Sequence, residues 1–266
     1  MTKCSASSPF FQGPSSRKIE FNFDGGTINS NGRLLFMKEF DHKLGLTRRT
    51  GKWLTSFDIR QSSKVKHSFP DMLRQRVFAL VAGNEDLNDR HDLRSDPLIQ
   101  AVVDRDRPLA APSTLCRFEN GMRRRACIEL SRLFVEFFIE SFLAPPRELI
   151  LDFDATDDLT CGMQETRFFH GYYDHYCFLP LYVFCRDQLL TAYLRPSKID
   201  GAKHSRAILS LLVKRFRQEW PEVRIIFRGD SGFCRREMLN WCDRNNVKYI
   251  VGLAKNSRLL KLSEEL

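Results

Sequence analysis

Apolar side chains recur at helical spacing from Arg33 to Ala144, and from Leu149 onward they gather in short strand-like runs. Leu73, Val77, Leu80 and Val81 form one apolar stripe, which predicts a helix. Gly83 interrupts it, and Asn84-Glu85-Asp86-Leu87-Asn88-Asp89 reads as a turn and a fresh helix start. Pro112-Ser113-Thr114-Leu115 predicts an N-cap opening a short helix through Phe118. Leu130, Leu133, Phe134, Phe137, Phe138 and Phe142 share one face of a longer helix. Pro145-Pro146 ends that helix and predicts a domain boundary. The residues before Arg33 are polar and rich in Ser and Gly, and predict a mobile arm. The expected organisation is therefore an arm over 1–32, a helical region over 33–146 and a strand-containing domain over 147–266.

In the last region 149–156, 178–185 and 189–194 predict three strands, with Arg186-Asp187-Gln188 as a hairpin turn. A helix over 202–220 follows, with Ile208, Leu211, Leu212 and Phe216 on its apolar side. Then come a strand over 223–227, a helix over 235–246 and a strand over 247–253. Three antiparallel strands, followed by strands reached through helices, is the order of a ribonuclease-H-like fold. The whole chain is thus expected to mix helix and sheet (α+β, α/β), a helical part preceding a partial ribonuclease-H-like domain.

Two of these strands stop at an acid followed by small residues: Asp154 before Ala155-Thr156, and Asp230 before Ser231-Gly232. In the expected fold these two strands are parallel neighbours, so their ends would bring the two acids together. Carboxylates at strand ends are open to solvent and can hold Mg²⁺. A phosphoryl-transfer site of this kind uses two ions roughly 3.5–4 Å apart. Strand alternation puts Asp152 on the same face as Asp154, so either could be the first ligand. Strand-end position favours Asp154, while Asp157 and Asp158 are expected in the turn. A third acid is not evident.

The chain has 266 residues and a net charge of +9. The first 150 residues carry 24 Lys and Arg against 18 Asp and Glu, which makes the N-terminal part the more basic. That balance favours a polyanionic partner. Arg123-Arg124-Arg125 and the row Lys203, Arg206, Lys214, Arg215 and Arg217 are candidate phosphate contacts. A solvated basic face explains them as well. The tyrosines of His170-Gly171-Tyr172-Tyr173 could stack on bases, although an aromatic core is the simpler reading. Eight cysteines form no CxxC pair and no apolar run is long enough to span a bilayer, which leads us to expect reduced thiols in a cytoplasmic protein. His170, His175, Cys177 and Cys185 fit no zinc-ligand spacing.

Several strings, taken in order, resemble one family. They are 151–158, Gly162, Gln164-Glu165, 169–173, Leu179-Pro180-Leu181-Tyr182 and Leu194-Arg195-Pro196-Ser197, then 228–233 and 252–256. In the first half, 73–77, 85–89 and 112–115 join them. Together, from about Gly32 to about Leu262, they resemble the DDE transposases of the insertion sequence 1380 family. The resemblance implies a cut-and-paste enzyme that binds the terminal inverted repeats of its element as double-stranded DNA and moves that DNA with Mg²⁺. It makes Asp154 the first acid and Asp230 the second, and implies assembly with itself or with an intact transposase. The family's glutamate lies further downstream, in a Tyr-x-x-Arg-x-x-x-Glu-like segment. Glu264 and Glu265 stand 34 and 35 residues after Asp230, in a tail that offers no rigid support for a third acid. The expectation is a truncated, inactive copy, or else a DNA-binding remnant that modulates an intact transposase.

Overall fold

The computed structural model describes residues 10–12, 18–20, 29–86, 93–122 and 124–264. The chain divides into two compact units, Met1–Cys127 and Ile128–Leu266. Within the expected arm, β1 (Phe10–Gln12) and β2 (Lys18–Glu20) pair antiparallel. Helices α1 (Arg33–Leu44), α2 (Leu46–Leu54), α3 (Phe69–Val81), α4 (Pro97–Val102) and α5 (Pro112–Gly121) build the rest of the first unit. Of the turn expected over 84–89, residues 87–89 lie outside the described residues.

Helix α3 buries a different face from the one the apolar stripe suggested. Phe69, Met72, Gln75, Phe78 and Ala79 are inside, while Leu80 is 46% and Val81 37% exposed. The reason is Gln75, a polar residue on the buried face. Its amide donates to the Ala110 carbonyl at 2.9 Å and accepts from the Ala110 N–H at 3.0 Å. A buried amide with both functions satisfied costs little, but it is invisible to an apolar count. The start of α3 is fixed by Ser68 and Asp71, which form a reciprocal capping box. Helix α5 is capped differently from the expectation. Its N-cap is Ala111, with Pro112 at the first helical position and no capping side chain.

Helix α6 (Arg124–Glu140) crosses the division between the units. Val135, Phe138 and Ile139 belong to the core of the second unit, where Phe138 meets Phe216 and Trp220 with ring centroids 5.4 and 6.5 Å apart. The helix stops at Glu140, before Phe142 and five residues ahead of Pro145, so the proline pair is not what ends it, and the chain divides earlier, at Cys127/Ile128.

The second unit contains a five-stranded sheet among the described residues. It contains β3 (Glu148–Ala155), β7 (Leu181–Cys185), β8 (Gln188–Tyr193), β9 (Arg224–Gly229) and β10 (Lys248–Val251), in the order β10-β9-β3-β7-β8. Strands β3, β7 and β8 are antiparallel, and β9 and β10 add in parallel on the other side of β3. Helices α7 (Ser205–Glu219) and α8 (Arg236–Arg244) make the crossovers, and α9 (Ser257–Glu264) follows. This strand order is the ribonuclease-H-like one. Leu149, Leu151 and Phe153 of β3 are buried while Asp152 and Asp154 take the alternate face.

Two details depart from the pattern reading. The strand expected over 178–185 is two, because Pro180 lacks a donor and the Leu179 N–H goes to the Arg195 carbonyl at 2.9 Å. Its first part is β6 (His175–Phe178), which pairs with β4 (Asp158–Leu159) and β5 (Phe168–His170) in a separate three-stranded sheet. In α7 the buried face is Leu209, Leu212, Val213 and Phe216, at i, i+3, i+4 and i+7, and Leu211 is 66% exposed.

Candidate active site

Register places the two strand-end acids together. In the parallel β3–β9 ladder, Asp152 lies opposite Arg228 and Phe153 opposite Gly229. One step further along both chains are Asp154 and Asp230. The close turn after β9 depends on glycine, since a Cβ on Gly229 would stand 3.0–3.1 Å from the Phe233 ring. Asp230 starts the 3-10 turn Ser231–Phe233, and its Oδ1 accepts from the Gly232 N–H at 2.8 Å. That bond fixes the carboxylate in one orientation with its second oxygen unengaged among the described residues.

Asp154 is exposed, but protein crowds one side of it. Desolvation by burial, then the negative charges of Asp230 and Asp152, push its carboxyl above the ordinary value. No cation among the described residues forms an ion pair with it. Asp152 differs: Arg228 holds it at two points, Nε to Oδ1 at 2.9 Å and Nη2 to Oδ2 at 2.6 Å. The bidentate pair occupies both oxygens of Asp152.

The floor beside Asp154 is polar. His175 Nε2 lies 2.7 Å from Asp157 Oδ2. The Tyr173 hydroxyl donates to the Ala155 carbonyl at 3.4 Å, and its ring stacks on His175 at 6.0 Å. Burial, with the charges of Asp157 and Asp154 and the neighbouring Tyr172, raises the Tyr173 phenol. Tyr172 is 85% exposed, so the aromatic-core reading of this tyrosine pair does not hold for it.

The basic candidates divide by what they touch. Arg215 grips Glu136 at 2.7 and 2.6 Å and also meets Glu219, while Arg217 donates to the Asn245 and Asn246 carbonyls. Both hold the unit together. Arg206 pairs with Glu237 at 3.0 Å. Lys203 stands exposed just before α7, Lys214 is exposed on it, and Arg124 is exposed at the start of α6. Arg123 and Glu265 lie outside the described residues.

Two residues with a part in this site escaped the sequence reading as functional positions. Arg228 is one, although its place two residues before Asp230 sets it on the face of Asp152. Arg195 is the other. It is 1% exposed and donates to the carbonyls of Leu179 at 2.8 Å, Gly201 at 3.0 Å and Lys203 at 2.6 Å. It thereby ties the loop before α7 to the end of β6. Asp200 in that loop pairs with Arg235 at 2.7 Å.

The donor set of Asp154 and Asp230 suits a hard divalent cation, because both groups are carboxylates and their mutual repulsion is relieved by positive charge. Among the described residues no three His, Cys, Asp or Glu side chains gather as a metal cluster. No helix among the described residues is long and apolar enough to cross a membrane.

Comparison with known proteins gives one family and several distant structures. No curated protein matches the chain significantly. The crystal structure of the catalytic domain of Mos1 mariner transposase is 15% identical with a TM-score of 0.29, over 51% of this chain and 63% of that one. The piggyBac transposase synaptic complex with hairpin DNA, a cryo-EM structure, is 14% identical with a TM-score of 0.39, over 83% of this chain and 52% of that one. The Mos1 mariner paired end complex with Mn is 11% identical with a TM-score of 0.28, over 84% and 78%. The chain thus spans less than two thirds of the first two of these. The model of the family described as transposase DDE domain group 1 matches residues 11–266, nearly the whole chain, and the chain belongs to that family.

Proposed function

We propose that this chain is a DDE-type DNA transposase of the insertion sequence 1380 kind, in which Asp154 and Asp230 are the first two acids of the catalytic set. The observation that carries the reading is the meeting of two strand-end carboxylates, where burial and the charge of Asp230 raise the proton affinity of Asp154 while Arg228 holds the neighbouring Asp152 at two points. Mg²⁺, held by Asp154 and Asp230, would activate the attacking hydroxyl and stabilise the leaving oxygen of a phosphodiester.

The chain's own residues do the positioning. The Gly232 N–H orients Asp230. Arg228 withdraws Asp152 from competition and places a guanidinium beside the site, where DNA phosphates would pass. Arg195 holds the loop that carries Lys203. The substrate on this reading is double-stranded DNA at the ends of a mobile element.

Among the described residues no third carboxylate joins the pair, so we read the chain as inactive in cleavage until a third acid is supplied. The test is strand cleavage of a labelled duplex carrying the element end, in Mg²⁺ or Mn²⁺. The chain alone should leave it intact. Addition of a downstream segment of the element's reading frame, in cis or as a second chain, should produce nicks that Asp154→Ala or Asp230→Ala removes. Cleavage that survives both substitutions would refute the assignment.

A further inference from the structure

The first unit has a cavity of about 620 Å³ whose lining includes Arg60, Lys64, Lys66, His67, Arg94 and Arg117. These residues come from the segment around the 3-10 turn Ser62–Lys64, from the turn before α4, and from α5. Their partners are mostly neutral. Arg94 Nε donates to the Leu109 carbonyl at 2.8 Å, and Arg117 Nη2 to the Thr114 hydroxyl at 3.2 Å. Arg107 braces the lining by donating to the Lys66 carbonyl at 3.2 Å. Arg60 is matched by Asp58, with contacts of 2.7 and 2.6 Å, and lies 4.4 Å over the Phe69 ring.

Counter-charge is scarce. Asp71 is taken by Arg105 and Ser68. No carboxylate among the described residues pairs with Lys64, Lys66, Arg94 or Arg117. The field shows at His67. Burial, then Arg107, Arg94 and Arg105, hold its imidazole below the ordinary value, with only Asp71 opposing. A guanidinium has five N–H donors. Arg94 and Arg117 each spend one on a neutral acceptor, which fixes their place and leaves the others for an anion. Four cations held around one concavity without counter-charge repel one another, and a polyanion relieves that repulsion.

We propose that this cavity is a phosphate clamp for DNA, in which Lys64, Lys66, Arg94 and Arg117 hold successive backbone phosphates of a duplex. The proposal rests on the reading of the chain as a DNA-acting protein, but it concerns a different unit from the carboxylates and reads no sequence. Contacts of this kind position the protein on DNA, and base edges are read elsewhere.

The experiment is fluorescence anisotropy of the whole 266-residue chain with a labelled duplex of about 30 base pairs, at several salt concentrations between about 50 and 200 mM. The triple variant Lys64→Ala/Lys66→Ala/Arg117→Ala should bind at least about tenfold more weakly, with the slope of log K against log salt reduced by about 2–3. The exposed positions chosen should leave the melting temperature in place. The charge-keeping variant Lys64→Arg/Lys66→Arg/Arg117→Lys should retain affinity and slope, as should Lys43→Ala/Lys52→Ala, which removes two exposed lysines outside the cavity. The titrations are run without divalent cation and read binding alone, so failure here is separable from failure of the catalytic assignment. Wild-type affinity and slope in the triple alanine variant would overturn the clamp. So would equal losses in the charge-keeping variant, or displacement of the duplex by low inorganic phosphate, which would mark a site for a small anion.

Discussion

Asp152 and Arg228 face each other across the parallel β3–β9 ladder, and their side chains close the same rung with a two-point ion pair. On the proposed function, the pair leaves Asp154 as the acid of the Asp-Phe-Asp run open to a cation. It also predicts an asymmetry between single and double variants. Asp152→Ala strips the counter-charge from a guanidinium next to the site, so Mn²⁺ binding should weaken by about tenfold through repulsion alone. Asp152→Ala/Arg228→Ala removes both charges and should recover most of that loss, a coupling of the kind a double-mutant cycle reads. Asp154→Ala should lose binding in either background. Electron paramagnetic resonance of free Mn²⁺ distinguishes these outcomes, and unrecovered loss in the double variant would make Asp152 itself a ligand.

The raised carboxyl of Asp154 carries a sign. Its folded-state value lies above its unfolded value, so between the two the native state binds the extra proton. Stability contributed by this group is present at low pH and is lost as pH rises through that window. Asp154→Asn should therefore raise the melting temperature at neutral pH, by about 1–3 °C since solvent screens an exposed group. Divalent cation reverses the sign by favouring the charged form. Mn²⁺ should stabilise the wild-type chain and leave Asp154→Asn nearly unmoved. Thermal melts across pH, with and without Mn²⁺, test both halves, and a destabilised Asp154→Asn at neutral pH would contradict them.

Strand order and the two acids were legible because both come from short-range signals: apolar runs that stop at Asp154 and Asp230, and helices between strands. What stayed hidden was contact between residues distant in sequence. Register makes Arg228 the partner of Asp152 across 76 positions, and no local spacing shows it. Gln75 and Arg195 are polar residues buried by hydrogen bonds to carbonyls, so an apolar count reads them as surface. Pro180 broke an otherwise continuous strand pattern and left β4, β5 and β6 unforeseen. The basic residues misled in the other direction, since Arg215 and Arg217 spend their charge and donors within the fold.

Arg195 should be among the costliest positions in the second unit. Arg195→Ala leaves the carbonyls of Leu179, Gly201 and Lys203 without this donor. Loss of about 2–4 kcal/mol is expected in urea denaturation. Arg195→Lys should recover only part, because one ammonium cannot reproduce the planar fork. Hydrogen exchange should show faster opening over 195–205 while β3 and β9 keep their protection. Uniform loss of protection across the sheet would mean that Arg195 anchors the whole unit and not this loop.

The division of the chain within α6 makes a prediction about fragments. A fragment that begins at residue 147, where the proline pair suggests a boundary, lacks Val135, Phe138 and Ile139. Phe138 packs on Phe216 and Trp220, and Val135 and Ile139 share that core, so their removal opens an apolar face that promotes association. A fragment that begins at residue 124 keeps them. The longer fragment should unfold cooperatively, while the shorter should aggregate or melt without a sharp transition. Phe138→Ala in the longer fragment isolates the largest part of the effect. It should cost about 3–5 kcal/mol, the range for deleting a buried phenylalanine. Chemical denaturation of the three proteins side by side decides the matter. Equal stability of the two fragments would restore the proline pair as the true boundary and make the packing of α6 on this core incidental.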